Sequence, residues 1–122
     1  KAKHIMVIAD SCYSGTLVRG ITPVQETSID EAWIKGLLKT KVRTSMASGN
    51  YEEVSDAGGL EGNTWFTGSI IKTLKENKSI ILGDQLYDKI KKVVQLNASQ
   101  TPIYGNMFAA GSEGGDFIFV RK

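Results

Sequence analysis

The feature that most constrains this chain is Ile5-Met6-Val7-Ile8-Ala9, a continuous apolar run rich in β-branched residues that stops abruptly at Asp10. Apolar residues without alternation predict a strand covered on both faces, as in parallel sheets whose crossover helices pack on either side. The polar turn Asp10-Ser11-Cys12-Tyr13-Ser14-Gly15 follows at once. In open α/β sheets the C-terminal edge of a strand is where ligands and catalytic groups collect. The chemistry of the chain is therefore expected first in this turn.

The remaining pattern alternates between helix and strand. Thr16 to Ser28 contains Gly20 and Pro23 without sustained periodicity and reads as a loop. Ile29 to Lys39 predicts a helix with Asp30 near its start and Trp33, Leu37 and Leu38 on one face. Lys41 to Ser48 reads as a second, weakly apolar strand. Gly49 to Asn63 holds four glycines and four acidic residues and reads as a long loop of the kind that is usually functional or mobile. Asn63 or Thr64 can cap the next helix, which runs to about Asn77 and turns Phe66, Ile70, Ile71 and Leu74 inward. A further helix begins near Asp84, with Leu86, Ile90, Val93 and Val94, joined by Leu82, on its buried stripe. Lys89, Lys91 and Lys92 fall on or beside its wet face and read as solvated charge. Ile103 to Val120 predicts two short strands around Gly111-Ser112-Glu113-Gly114-Gly115. The order strand, helix, strand, helix, helix, strand, strand gives an α/β class with a mostly parallel sheet.

Composition narrows the function. A chain of 122 residues, 41% hydrophobic and 23% charged, is one small domain or part of one and is not disordered. A formal charge of +2, spread along the chain, gives no electrostatic footprint for nucleic acid or an anionic membrane. The longest apolar run is far short of the roughly 20 residues a membrane span needs. No signal peptide opens the chain, and a start at Lys1 points to a fragment. One cysteine and one histidine exclude an internal disulfide and a Cys/His metal cage. The expected compartment is the cytosol, with no metal and no cofactor.

A lone cysteine is most often a core filler. Cys12 instead lies two residues beyond the buried run, among polar residues, where the backbone turns outward. A thiol at that mouth is accessible and acts as a nucleophile once a base removes its proton. The only histidine, His4, is eight residues away, about 26 Å along a strand at roughly 3.3 Å per residue. It ends at the opposite edge of the sheet and is excluded as the partner base. A histidine for Cys12 must come from a segment this chain lacks. Ser14 is no serine nucleophile, because Cys12 occupies the first glycine position of the Gly-x-Ser-x-Gly elbow. Gly111 to Gly115 precedes a strand rather than opening a helix, so it is no phosphate loop. Trp33 and Trp65 read as packing residues.

After its apolar strand, Asp10-Ser11-Cys12-Tyr13-Ser14-Gly15 resembles the nucleophile motif of the caspase-like cysteine peptidases, specifically their metacaspase-type branch. Met46-Ala47-Ser48-Gly49 with Glu52, Glu53 and Asp56 is similar to that group's strand and substrate-pocket loop. Asn63-Thr64-Trp65-Phe66-Thr67 is similar to the start of its next helix. Gln100-Thr101-Pro102-Ile103-Tyr104-Gly105 and Gly114-Gly115-Asp116-Phe117-Ile118-Phe119 are similar to its closing strands. The co-linear series spans nearly the whole chain. It departs from the family at Tyr13, where a histidine is common, and in lacking the upstream His-Gly motif.

The resemblance implies the caspase–hemoglobinase fold, an α/β/α sandwich. Residues 1–122 would be the C-terminal part of that peptidase domain, and the histidine-bearing part lies outside this chain. It implies Cys12 as nucleophile and the Cys12 backbone N–H as one oxyanion donor. Asp10, whose other reading is a carboxylate bonding turn amides, becomes the acid of the primary specificity pocket. Such an acid holds a guanidinium or ammonium, hence cleavage after Arg or Lys. Asp56 first, then Glu53 and Glu52, are candidates for a second pocket wall, or simply a solvated acidic loop. Arg19-Gly20 is a candidate self-cleavage site. Many members of the family need calcium, but none of its metal-binding acids can be placed on this chain. The expected partners are a peptide or protein substrate and the rest of the same domain, with no nucleic acid and no membrane. The chain alone is expected to be inert. The alternative is a catalytically dead caspase-like interaction or signalling module.

Overall fold

The fold is seen in a computed structural model that describes residues 1–12, 14–24, 30–49 and 58–122. Among the described residues five strands and three helices run in the order β1 (His4–Ala9), α1 (Glu31–Lys39), β2 (Val42–Ala47), α2 (Trp65–Glu76), β3 (Ile80–Leu82), α3 (Gly83–Ala98), β4 (Ile103–Asn106), β5 (Ile118–Val120). Short 3₁₀ turns at Ser14–Val18 and Phe108–Ala110 punctuate the connections. The domain is a small mixed α/β unit. Its main sheet has the order β1-β2-β4, with β1 parallel to β2 and β2 antiparallel to β4. Strands β3 and β5 form a separate antiparallel ribbon.

Each helix has a local or long-range reason to start. The Asp30 side chain accepts the Trp33 N–H at 2.7 Å and opens α1, while Thr64 Oγ1 accepts the Thr67 N–H at 3.0 Å and opens α2. These are the hydroxyl and carboxylate caps that satisfy orphan amides of a first turn. Helix α3 lacks such a residue at Leu82. Its first amides are taken by Gln85 Oε1, which accepts from Leu82 N, by Phe117 O, which accepts from Gly83 N, and by Asp116 Oδ2, which accepts from Asp84 N. The tail of the chain thus caps α3.

The core lies between the sheet and α2 and α3. Met46, Phe66, Ile70, Ile81, Leu86, Ile90, Val94 and Tyr104 form one buried cluster. Phe66 and Ile70 stand one turn apart on α2, and Leu86, Ile90 and Val94 repeat every four residues on α3, so both helices present a continuous stripe. Full burial of each such side chain stabilises the fold by about 1.5–3 kcal/mol.

Three expectations need correction. The run Ile5–Ala9 is a strand, but it is not covered on both faces: Ile5, Val7 and Ile8 are 42%, 56% and 43% exposed. Among the described residues β1 pairs only with β2, so it is an edge strand, and an edge position leaves side chains uncovered that an interior strand would bury. The sheet is mixed rather than mostly parallel, because β4 returns antiparallel. On α1, Leu37 is buried but Leu38 is 56% exposed, because a narrow helix face reaches the core at one of two adjacent positions only. Lys89 and Lys91 lie on partly exposed or exposed stretches of α3, with Lys91 Nζ 5.5 Å from the Tyr87 ring centre.

Candidate active site

The turn carrying Cys12 sits where three elements end or begin. Strands β1 and β2 run parallel and finish side by side at Ala9 and Ala47, and the Ser48 N–H donates to Ala9 O at 2.9 Å. The turn is pinned from below. Ser14 N donates to Ser11 O at 3.2 Å, and the buried Ser14 hydroxyl bonds Ser48 Oγ at 3.3 Å and donates to Gly49 O at 3.2 Å. Gln100 Nε2 donates to Ser48 O at 2.8 Å and ties in the start of the β4 segment. Cys12, between this fixed strand end and the buried Ser14, is exposed.

Asp10, two residues before the thiol, is exposed and tethered to α2. Thr64 Oγ1 and Thr67 Oγ1 each donate to its Oδ2 at 2.6 Å. Distances this short are those of hydroxyl bonds to a charged acceptor. Among the described residues Asp10 is therefore engaged by side chains of a helix start rather than by amides of its own turn. Sequence reasoning missed these partners. The available signal was the pair Thr64 and Thr67, spaced three apart so that both face one side of a first helical turn.

His4 lies at the other end of β1, where its Nε2 donates to Leu37 O at 2.9 Å. It is held there by α1, remote in the strand from Cys12, in keeping with its exclusion as the base. Arg19 is exposed just after the 3₁₀ turn. Glu52, Glu53 and Asp56 lie outside the described residues. Ser14 is fully buried and its hydroxyl is engaged, which fits no nucleophilic role. Trp33 and Trp65 are half-buried. Among the described residues no cluster of His, Cys, Asp and Glu is arranged to hold a metal ion, and no helix is long and apolar enough to cross a membrane.

No family model, curated protein or solved structure matches this chain.

One further pair of ionisable groups is buried, away from the turn. The Tyr104 hydroxyl donates to Asp116 Oδ1, which also accepts the Phe117 N–H at 2.8 Å. Burial holds the Asp116 carboxyl above the usual aspartate range despite these bonds, and burial together with the Asp116 charge pushes the Tyr104 phenol up as well. A carboxyl that binds its proton more tightly folded than unfolded contributes stability that is complete below the ordinary aspartate value of about 3.9. That contribution is lost as pH rises through the higher folded value. Asp116→Asn removes the titration. The stability of the natural protein relative to this variant, from urea midpoints, should therefore fall as pH rises above about 4, and a flat or rising difference contradicts the buried-acid assignment.

Proposed function

We propose that this chain is the nucleophile-bearing C-terminal portion of a caspase-like cysteine endopeptidase of the metacaspase type. In this reading it belongs to an α/β/α sandwich and cleaves after Arg or Lys, with a histidine supplied from outside the chain. The observation that carries the reading is the pairing of an exposed Cys12 in the turn after β1 with a tethered Asp10 two residues before it. The Cys12 thiolate attacks the scissile carbonyl, the histidine protonates the leaving amine, and water hydrolyses the acyl-enzyme. The Cys12 backbone N–H supplies one donor to the oxyanion. Asp10 receives the cationic side chain before the scissile bond and repels an acidic one.

The exposed Ile5, Val7 and Ile8 on an edge strand are also consistent with the rest of such a domain pairing against β1. The same surface supports a second reading, a catalytically dead interaction module. Assays of the full-length protein on fluorogenic peptides ending in Arg, Lys or Asp separate these cases. Cleavage after Arg and Lys is expected, with Asp10→Asn lowering kcat/KM on both about thirtyfold through loss of a charge-assisted contact. A preference for Asp-ended peptides overturns the specificity, and no Cys12-dependent cleavage leaves the module.

A further inference from the structure

The acceptor positions of Asp10 are unequally used. An ionised carboxylate offers about four, two on each oxygen. Thr64 Oγ1 and Thr67 Oγ1 both donate to Oδ2 at 2.6 Å and so fill it. Among the described residues no hydrogen bond falls on Oδ1. The two threonines play different parts. Thr64 Oγ1 also accepts the Thr67 N–H as the cap of α2, whereas the Thr67 hydroxyl has Asp10 as its acceptor.

A guanidinium pairs best with a carboxylate as a fork, one N–H to each oxygen, while an ammonium is a point charge that one oxygen satisfies. We propose that Thr64 and Thr67 set the cation specificity of Asp10. By saturating Oδ2 they leave Oδ1 alone to receive the cation, so the fork is denied and Lys is accepted about as well as Arg. This inference rests on the reading of Asp10 as the receptor for the side chain before the scissile bond. Thr67 acts through Asp10 and is a positioning residue.

The test measures binding, so it does not depend on turnover. Full-length protein carrying Cys12→Ser is titrated calorimetrically with acetylated peptides ending in Arg, Lys or citrulline, the uncharged counterpart of Arg. Arg and Lys peptides are expected within about threefold of each other and citrulline at least about thirtyfold weaker, as a single-oxygen ionic contact requires. Thr67→Val keeps side-chain volume, branching and the Thr64 cap but frees an acceptor position on Oδ2. The ratio of Arg to Lys affinity then rises about tenfold through the added charge-assisted bond, and Thr67→Ser restores the original ratio. A purely structural effect of valine would weaken both peptides alike.

An unchanged or falling ratio overturns the proposal. So does a natural preference for Arg of tenfold or more, equal binding of Arg and citrulline, or no measurable binding of either basic peptide. Thr67→Ala serves for the same ratio if the valine variant does not fold. Basic-peptide binding that responds to Thr67 without any Cys12-dependent cleavage leaves this assignment in place and removes the peptidase reading.

Discussion

Cys12→Ala in the full-length protein is expected to lower kcat/KM on Arg- and Lys-ended peptides by about 10⁴-fold or more, the usual consequence of removing a covalent nucleophile while binding and oxyanion contacts persist. The Ser14 hydroxyl is not available as a substitute, because Ser14 is buried and bonded to Ser48 and Gly49. Cys12 is exposed, so its loss should leave the urea midpoint within about 0.5 kcal/mol of the natural protein, as for most surface substitutions. That contrast separates a chemical role from a structural one. Intact-mass analysis of the same pair of proteins should show any cut after Arg19 disappear with the thiol. Undiminished cleavage in the alanine variant would remove Cys12 from the chemistry.

The helices were legible because each repeats an apolar stripe over enough residues to exceed chance, and β1 because its apolar run is unbroken. Phe66, Ile70, Leu86, Ile90 and Val94 all enter the core as their spacing requires. Strand β3 was not legible. Its three residues, Ile80–Leu82, are too few to show a period, and they run directly into α3 without a capping residue between. The boundary is set by Asp116 and Phe117, supplied from the far end of the chain. The direction of β4 was hidden for a different reason: alternation reports which residues face inward, and parallel and antiparallel neighbours can produce the same record. The apolar run of β1 likewise states what that strand can bury. It does not state that this chain provides the cover.

At the site, the place of Cys12 at a strand end could be read from the abrupt change at Asp10. The surroundings of Asp10 could not, because its partners are 54 and 57 residues away. Thr64 could be identified only as a cap, a role it also plays. A residue serving a helix start and a neighbouring carboxylate at once carries two constraints, of which only the local one leaves a mark in sequence.

A large structural effect is expected at Gly83, the first residue of α3. Propensity alone favours alanine in a helix by about 1 kcal/mol. Packing opposes it. A Cβ at Gly83 would press on Tyr104 Oη and lie 2.7 Å from Tyr104 Cζ and 2.8 Å from Asp116 Oδ1. None of these atoms can move away cheaply. The Tyr104 ring belongs to the core cluster, its hydroxyl donates to Asp116, and Asp116 is itself anchored by the amides of Asp84 and Phe117. Gly83 cannot retreat either, since its own N–H donates to Phe117 O at 2.8 Å. The methyl group must therefore part Tyr104 from Asp116 or lift the first turn of α3 from β5. Overpacking combined with a broken buried hydrogen bond should cost about 3 kcal/mol or more. Gly36, inside α1, meets nothing within 4 Å of an added Cβ, and Gly36→Ala should stabilise by about 0.5–1 kcal/mol through helix propensity and a less flexible unfolded chain. Urea unfolding of the two variants should thus move in opposite directions, and a Gly83→Ala protein as stable as the natural one would contradict the packing of Tyr104 and Asp116 against the start of α3.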